Sequence, residues 1–205
     1  MNLFPIFLKL AGRRCLVVGA GPVGESKIES LLLAGADVRV VAPRATQAVR
    51  DWACAGKVRW EARCFRPSDL DGVFLVIAAT SSAELHEQIF QEARRRGVLC
   101  NVVDDPARCD FYYPAVVRRG ALQIAISTSG RSPALAQHLK RELDQQFGPE
   151  YETWVEQLGE ARQKLLARAI DPARRRRLLH RLASRRAFDA FLRRRRATDL
   201  RQNPP

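Results

Sequence analysis

The sequence predicts an α/β protein: a doubly wound parallel sheet over residues 1–113, a small α+β segment over 114–147, and a helical, arginine-rich domain over 148–205. Three observations predict it. Short apolar, β-branched runs alternate with stretches of helical period through the first half of the chain; the first of these runs ends in the loop Gly19-Ala20-Gly21-Pro22-Val23-Gly24; and beyond Gly148-Pro149 strand-like runs give way to helical, basic sequence.

Residues 14–20 are apolar and end in glycines, as a strand does when it feeds a tight turn. In residues 22–34 Val23, Ile28, Leu31 and Leu32 fall at helical spacing, and Gly35 stops the helix. Residues 37–42 read as a second strand closed by Pro43, completing one βαβ unit. The alternation continues with a helix at 44–55, strands at 58–64 and 73–79, a helix at 83–96 and a strand at 98–103. Nearly continuous apolar strands between helices imply a parallel sheet covered on both faces. After Pro114, residues 115–118 and 122–127 flank Arg119-Gly120 as two strands joined by a turn, and a helix spans 133–147. The helical end breaks near Asp171-Pro172 and Ser184, and Asn203-Pro204-Pro205 is expected to fray.

The composition narrows the function classes. With 46% hydrophobic residues over 205 positions, the chain can bury a substantial core. No uninterrupted run of about eighteen apolar residues occurs, and residues 1–10 lack a basic leader and a small-residue cleavage site, so a cytoplasmic protein is expected. The cysteines, Cys15, Cys54, Cys64, Cys100 and Cys109, form no CxxC pair, and none of His86, His138 and His180 stands at metal-ligand spacing. No bound metal is expected. The net charge of +13 is concentrated at the end: residues 148–205 hold 15 of the 35 basic residues and 7 of the 22 acidic ones. Such a field attracts polyanions, whether nucleic acid, an anionic membrane or a small molecule with many carboxylates.

The glycine loop is the sharpest motif. A turn of the GxGxxG type offers backbone N–H groups and the positive end of a helix dipole to a phosphate. Gly19 would permit the turn, Gly21 the approach of a pyrophosphate, and Gly24 close packing of the helix. Because the loop follows a strand, opens a helix and precedes a second strand, it marks a Rossmann-type dinucleotide site. The acid expected about twenty residues on, to hold the ribose hydroxyls, is replaced by Ala42-Pro43-Arg44. Arg44 reads equally as a partner for a 2′-phosphate or as a solvated arginine, leaving NAD and NADP open at this point.

Several motifs extend the likeness. Leu3-Phe4-Pro5-Ile6-Phe7-Leu8, the stretch Cys15–Gly24, Ala34-Gly35-Ala36 with Val40-Val41-Ala42-Pro43, then Asn101-Val102-Val103-Asp104-Asp105-Pro106, Phe111-Tyr112-Tyr113-Pro114 and the run Ala125–Pro133 occur in one order. Together they resemble the precorrin-2 dehydrogenase module of sirohaem synthases. The resemblance implies NAD as cofactor and oxidation of the tetrapyrrole precorrin-2 to sirohydrochlorin, in some members followed by insertion of ferrous iron. It also implies a homodimer. Ser26 stands where the family usually has an arginine, and Ser129 where it has the first of two glycines.

The resemblance also names site residues. Asp104, at the carboxyl end of the strand 98–103, maps onto the family's essential acid, and an aspartate there can accept the proton lost with the hydride. Asp105 is expected to cap the turn. Pro22, Val23, Pro43 and Arg44 map onto cofactor-lining positions. Thr80 lies at the same sheet edge and reads alternatively as a helix cap. Thr128, Ser129 and Gly130 precede a helix, where free N–H groups would hold a substrate carboxylate, or form a plain cap. Arg174–Arg177 and 193–196 offer guanidinium forks to substrate carboxylates, or a solvated face. The competing reading is a dinucleotide-sensing, nucleic-acid-binding regulator that uses the basic end; no base-reading module is present in the sequence to favour it.

Overall fold

The structure, a computed structural model, describes residues 3–202, with side-chain surroundings for residues 3–195. The readings of Asn203-Pro204-Pro205 and of the Arg196 side chain fall outside these. The chain divides into two compact units, Met1–Tyr113 and Pro114–Pro205.

The first unit is a five-stranded parallel sheet. Its strands are β1 (Arg14–Ala20), β2 (Asp37–Ala45), β3 (Arg59–Glu61), β4 (Leu75–Ala78) and β5 (Leu99–Val102), in the order β3-β2-β1-β4-β5. Alternation along β1 sends Cys15 and Val17 to one face and Leu16 and Val18 to the other. On the first face they meet Ile28 and Leu31 of α1 (Pro22–Leu33) and Val49 of α2 (Gln47–Cys54). On the second they meet Leu70 and, from α3 (Ala83–Arg96), Ile89 and Ala93. All four β1 side chains are essentially inaccessible. Each large side chain so buried contributes about 1.5–3 kcal/mol, which is why the central strands read as unbroken apolar runs.

Several boundaries differ from the sequence reading, most of all around β2 and β3. Pro43 does not close β2: the register shifts between Val18 and Ala20, and Ala20 pairs with Ala45. The strand thus bulges, turns Pro43 and Arg44 outward, and continues, because a proline in a bulge loses no ladder bond. Helix α2 consequently starts at Gln47 rather than 44, with the Thr46 hydroxyl accepting from the Val49 N–H at 3.4 Å. The strand expected at 58–64 contracts to Arg59–Glu61, since Arg63 folds back, its N–H donating to the Glu61 carbonyl at 2.9 Å.

In the second unit, β6 (Ala115–Arg119) and β7 (Leu122–Ile126) form an antiparallel hairpin, followed by α4 (Pro133–Gln146), α5 (Glu150–Leu166), α6 (Pro172–Leu182) and α7 (Arg185–Gln202). The hydroxyls of Ser132 and Ser184 and the Asp171 carboxylate accept first-turn N–H groups at 3.2, 3.3 and 2.8 Å, so the breaks read from the sequence are helix caps. Arg119 donates to the carbonyl and carboxylate of Asp144 and ties the hairpin to α4. Tyr151, Trp154, Phe188 and Phe191 stack α5 on α7.

Candidate active site

Two clefts open beyond the carboxyl ends of the parallel strands, the edge at which open α/β sheets bind ligands. The first lies over β1, β2 and β4 and is lined by Gly19, Gly21, Pro43, Arg44, Phe65 and Thr80, among others. Backbone geometry dictates its glycines. Gly19 has φ +103°, and a Cβ on it would lie 2.2 Å from the Ala79 carbonyl oxygen; a Cβ on Gly24 would lie 2.2 Å from the carbonyl oxygen of Gly19. Gly21 meets nothing within 4 Å. Its missing side chain therefore leaves open space in front of the amino terminus of α1, where no side chain caps the helix. A cradle without Cβ atoms at an uncapped helix start fits a dinucleotide pyrophosphate.

Arg44 is the charged side chain of this cleft and forms no ion pair among the described residues. Thr80 lines the cleft too, its hydroxyl accepting from the Ser82 N–H at 3.3 Å; the cap of α3 is Ser82, which accepts from the Leu85 N–H at 3.2 Å. Pro22 and Val23 are exposed in the first turn of α1, and Gly24 is buried there, so these three shape the loop without lining the cleft.

The second cleft surrounds Asp104 and is lined by Lys27, Asn101, Asp104, Cys109, Tyr112 and Tyr113, among others. After β5 the chain turns back: the Asp105 N–H donates to the Val102 carbonyl at 3.2 Å, and Asp104, with φ +61°, takes the left-handed position of the turn. Aspartate tolerates this conformation better than most residues, though it costs on the order of 1 kcal/mol, and strain of this kind gathers at functional sites. Asp104 is thereby held exposed. Asp105 stands at the N-cap of the short turn Pro106–Arg108; its carboxylate is paired with Arg108, which, with the backbone N–H groups of Arg108 and Ala107, holds it below the usual carboxylate range. Asn101, buried at the end of β5, fixes the following loop by donating to the Phe111 carbonyl at 2.8 Å. The Cys109 thiol donates to the carbonyls of Val102 and Asp105, both at 3.1 Å, and burial pushes it up.

Lys27 is not singled out by the sequence, where a helix lysine reads as solvated. It is half-buried, with its ammonium 3.7 Å from the centroid of the Tyr113 ring. Burial lowers its pKa, against the opposing charges of Asp104 and Cys109.

Thr128, Ser129 and Gly130 belong to the second unit. The N–H groups of Ser129, Arg131 and Ser132 are spent on the Ser127 hydroxyl, the Thr128 carbonyl and the Thr128 hydroxyl, at 3.1, 3.0 and 3.0 Å. The loop thus has fewer free donors than its place before a helix suggested. Among the described residues, no group of three His, Cys, Asp or Glu side chains is gathered to hold a metal, and no helix is long and apolar enough to cross a membrane.

Residues 6–115 match a family described as "Putative NAD(P)-binding", and residues 119–146 match one described as the central region of sirohaem biosynthesis proteins. This chain belongs to the NAD(P)-binding module family of the sirohaem synthases. It is 43% identical over 177 residues to siroheme synthase 1 of Pectobacterium atrosepticum, covering 86% of this chain and 37% of that protein. It is 45% identical over 144 residues to the siroheme synthase of Neisseria meningitidis, covering 70% and 30%. The sirohaem synthase-type module thus spans about a third of the length of these relatives. Among solved structures it is similar to "SirC, precorrin-2 dehydrogenase", with a TM-score of 0.77 and 27% identity over 89% of this chain and 90% of that one. These matches lend no support to a nucleic-acid-binding regulator.

Proposed function

We propose that this module oxidises precorrin-2 to sirohydrochlorin. The observation that carries the reading is Asp104, an exposed carboxylate held at a left-handed backbone position in the turn after β5, beside a cleft that β4 separates from the strand bearing the glycine cradle. NAD, when bound, supplies the hydride acceptor. Gly19, Gly21 and the start of α1 would hold its pyrophosphate, with Pro43, Arg44 and Thr80 along the cleft. The substrate loses a hydride with its electron pair and one proton; the Asp104 carboxylate takes the proton, a role that requires it ionised at the working pH. Thr128, Ser129, Gly130 and arginines of the helical end are proposed to meet the substrate's carboxylates.

Ferrous iron enters only as the substrate of a second step, in which Asp104 takes pyrrole protons while the macrocycle's nitrogens receive the metal. Segment 114–147 is proposed to pair two copies, because its two-stranded hairpin is too small to bury its apolar faces alone. Five free thiols fit a reducing, cytoplasmic compartment.

The experiment is turnover of precorrin-2 with NAD and NADP in parallel, followed by sirohydrochlorin absorbance. The expected result is dinucleotide-dependent product, abolished by Asp104→Asn; full activity in that variant would remove Asp104 from the reaction. Cobalt or ferrous insertion into sirohydrochlorin tests the second step, and light scattering the dimer.

A further inference from the structure

Around Asp104 the charges are unevenly satisfied. Arg108, the guanidinium nearest the turn, is shared between Asp105 and Glu87 of α3, the latter at 2.6 Å. The Asp110 carboxylate accepts from the backbone N–H of Cys100 at 2.8 Å, and the Cys109 thiol is engaged with two carbonyls. Tyr112 donates its hydroxyl to the Pro106 carbonyl at 3.3 Å, and the Tyr113 ring, exposed at the rim of the cleft, carries no charge. Two charged groups of the cleft are left over: the Asp104 carboxylate and the Lys27 ammonium, neither in an ion pair among the described residues. They come from different elements, the turn after β5 and the helix after β1, and only the parallel order β1-β4-β5 places them on one cleft.

We propose that Lys27 is a positioning residue for the oxidation: its ammonium, seated on the face of Tyr113, is the countercharge that keeps the Asp104 carboxylate ionised and directed into the cleft when substrate displaces water. This rests on the reading that Asp104 accepts the proton. The aromatic face is suited to the task, since it holds a cation by its quadrupole without neutralising it. In the solvated cleft the interaction between the two charges is weak. Once a large substrate excludes water, the local dielectric falls and the attraction strengthens, at the moment when an isolated carboxylate would otherwise take up a proton from solvent and cease to be a base.

The test uses the whole chain with Lys27→Met, which keeps the apolar stem, and Lys27→Arg, which keeps the charge. Two quantities are followed against pH: kcat for precorrin-2 oxidation, which reports the substrate-bound protein, and the carboxyl carbon of Asp104 by 13C NMR with sirohydrochlorin bound, assigned by its loss in Asp104→Asn. The expected result for Lys27→Met is that the acid limb of kcat and the carboxyl titration of the bound state both move upward by about one pH unit, with the rate restored above the limb and both midpoints returned by Lys27→Arg. A carboxyl titration that does not move overturns the proposal. So does a rise of KM at every pH with an unmoved limb, which would make Lys27 a substrate anchor instead. Absence of turnover in the unaltered protein would fail the oxidation reading alone, because the carboxyl titration still decides whether Lys27 acts on Asp104.

Discussion

A β-carbon on Gly24 would stand 2.2 Å from the carbonyl oxygen of Gly19, so the last glycine of the loop is required by the backbone of the first rather than by a ligand. Gly19 is further constrained by φ +103° and by the Ala79 carbonyl oxygen, which a β-carbon of its own would approach to 2.2 Å. Gly21, between them, meets nothing within 4 Å. The same substitution should therefore have opposite consequences. Gly19→Ala and Gly24→Ala should destabilise the fold by about 3 kcal/mol or more. Gly21→Ala should leave thermal stability within about 0.5 kcal/mol and weaken NAD binding at least about tenfold by obstructing the pyrophosphate. Calorimetric unfolding and a binding isotherm on the three variants check this, and equal stability losses at all three positions would contradict it.

Acid stability should depend on Asp69. This carboxylate, 2% exposed in the short turn Pro67–Leu70, accepts from Arg63 at 2.6 and 2.9 Å, from the Arg66 N–H at 2.8 Å, and from Arg39. Burial pushes its pKa up, but the bonds from Arg63 and Arg66 and the charges of Arg39 and Arg63 outweigh it and hold the group below its ordinary 3.8. A carboxyl depressed on folding contributes stability that is complete above the unfolded value and lost as pH falls through the folded one. Denaturant midpoints should thus be level near neutrality and decline below about pH 4. Asp69→Asn should cost roughly 2–3 kcal/mol at pH 7, less than a fully buried pair because both guanidiniums reach water, and should flatten the acid decline.

Ser129 should be improvable. The Arg131 N–H donates to the Thr128 carbonyl at 3.0 Å, closing a turn whose central residues, Ser129 and Gly130, have φ of +53° and +77°. Both positions favour glycine. Ser129→Gly should raise stability by about 0.5–1 kcal/mol, read as an increase in melting temperature; a decrease would mean that the serine side chain repays its strained backbone through a contact of its own.

Much of the parallel sheet is legible in the sequence because its information is local. The buried runs Arg14–Ala20 and Leu75–Ala78, the helix Ala83–Arg96 closed by Gly97, and the caps Asp171 and Ser184 are each specified by residues within one element. The glycine loop is legible for the same reason, and so is Asp104, through the order of motifs around it. Illegible are the passage of β2 through Pro43, which depends on a register shift against β1, and the shortening of β3, which depends on Arg63 reaching back to Glu61. Lys27 escapes notice because nothing near it in the chain distinguishes it from a surface lysine.

The sequence by itself determined the periodicities, the turn that can accept a pyrophosphate, the family, and the acid at the end of the fifth strand. The tertiary structure decided which charges remain unsatisfied. Arg108 is consumed by Asp105 and Glu87, while Lys27 is brought from another element to the cleft of Asp104. The reason is physical: hydrophobic period is written in neighbouring residues, whereas the field at a carboxylate sums charges over several ångströms of space, whatever their separation along the chain.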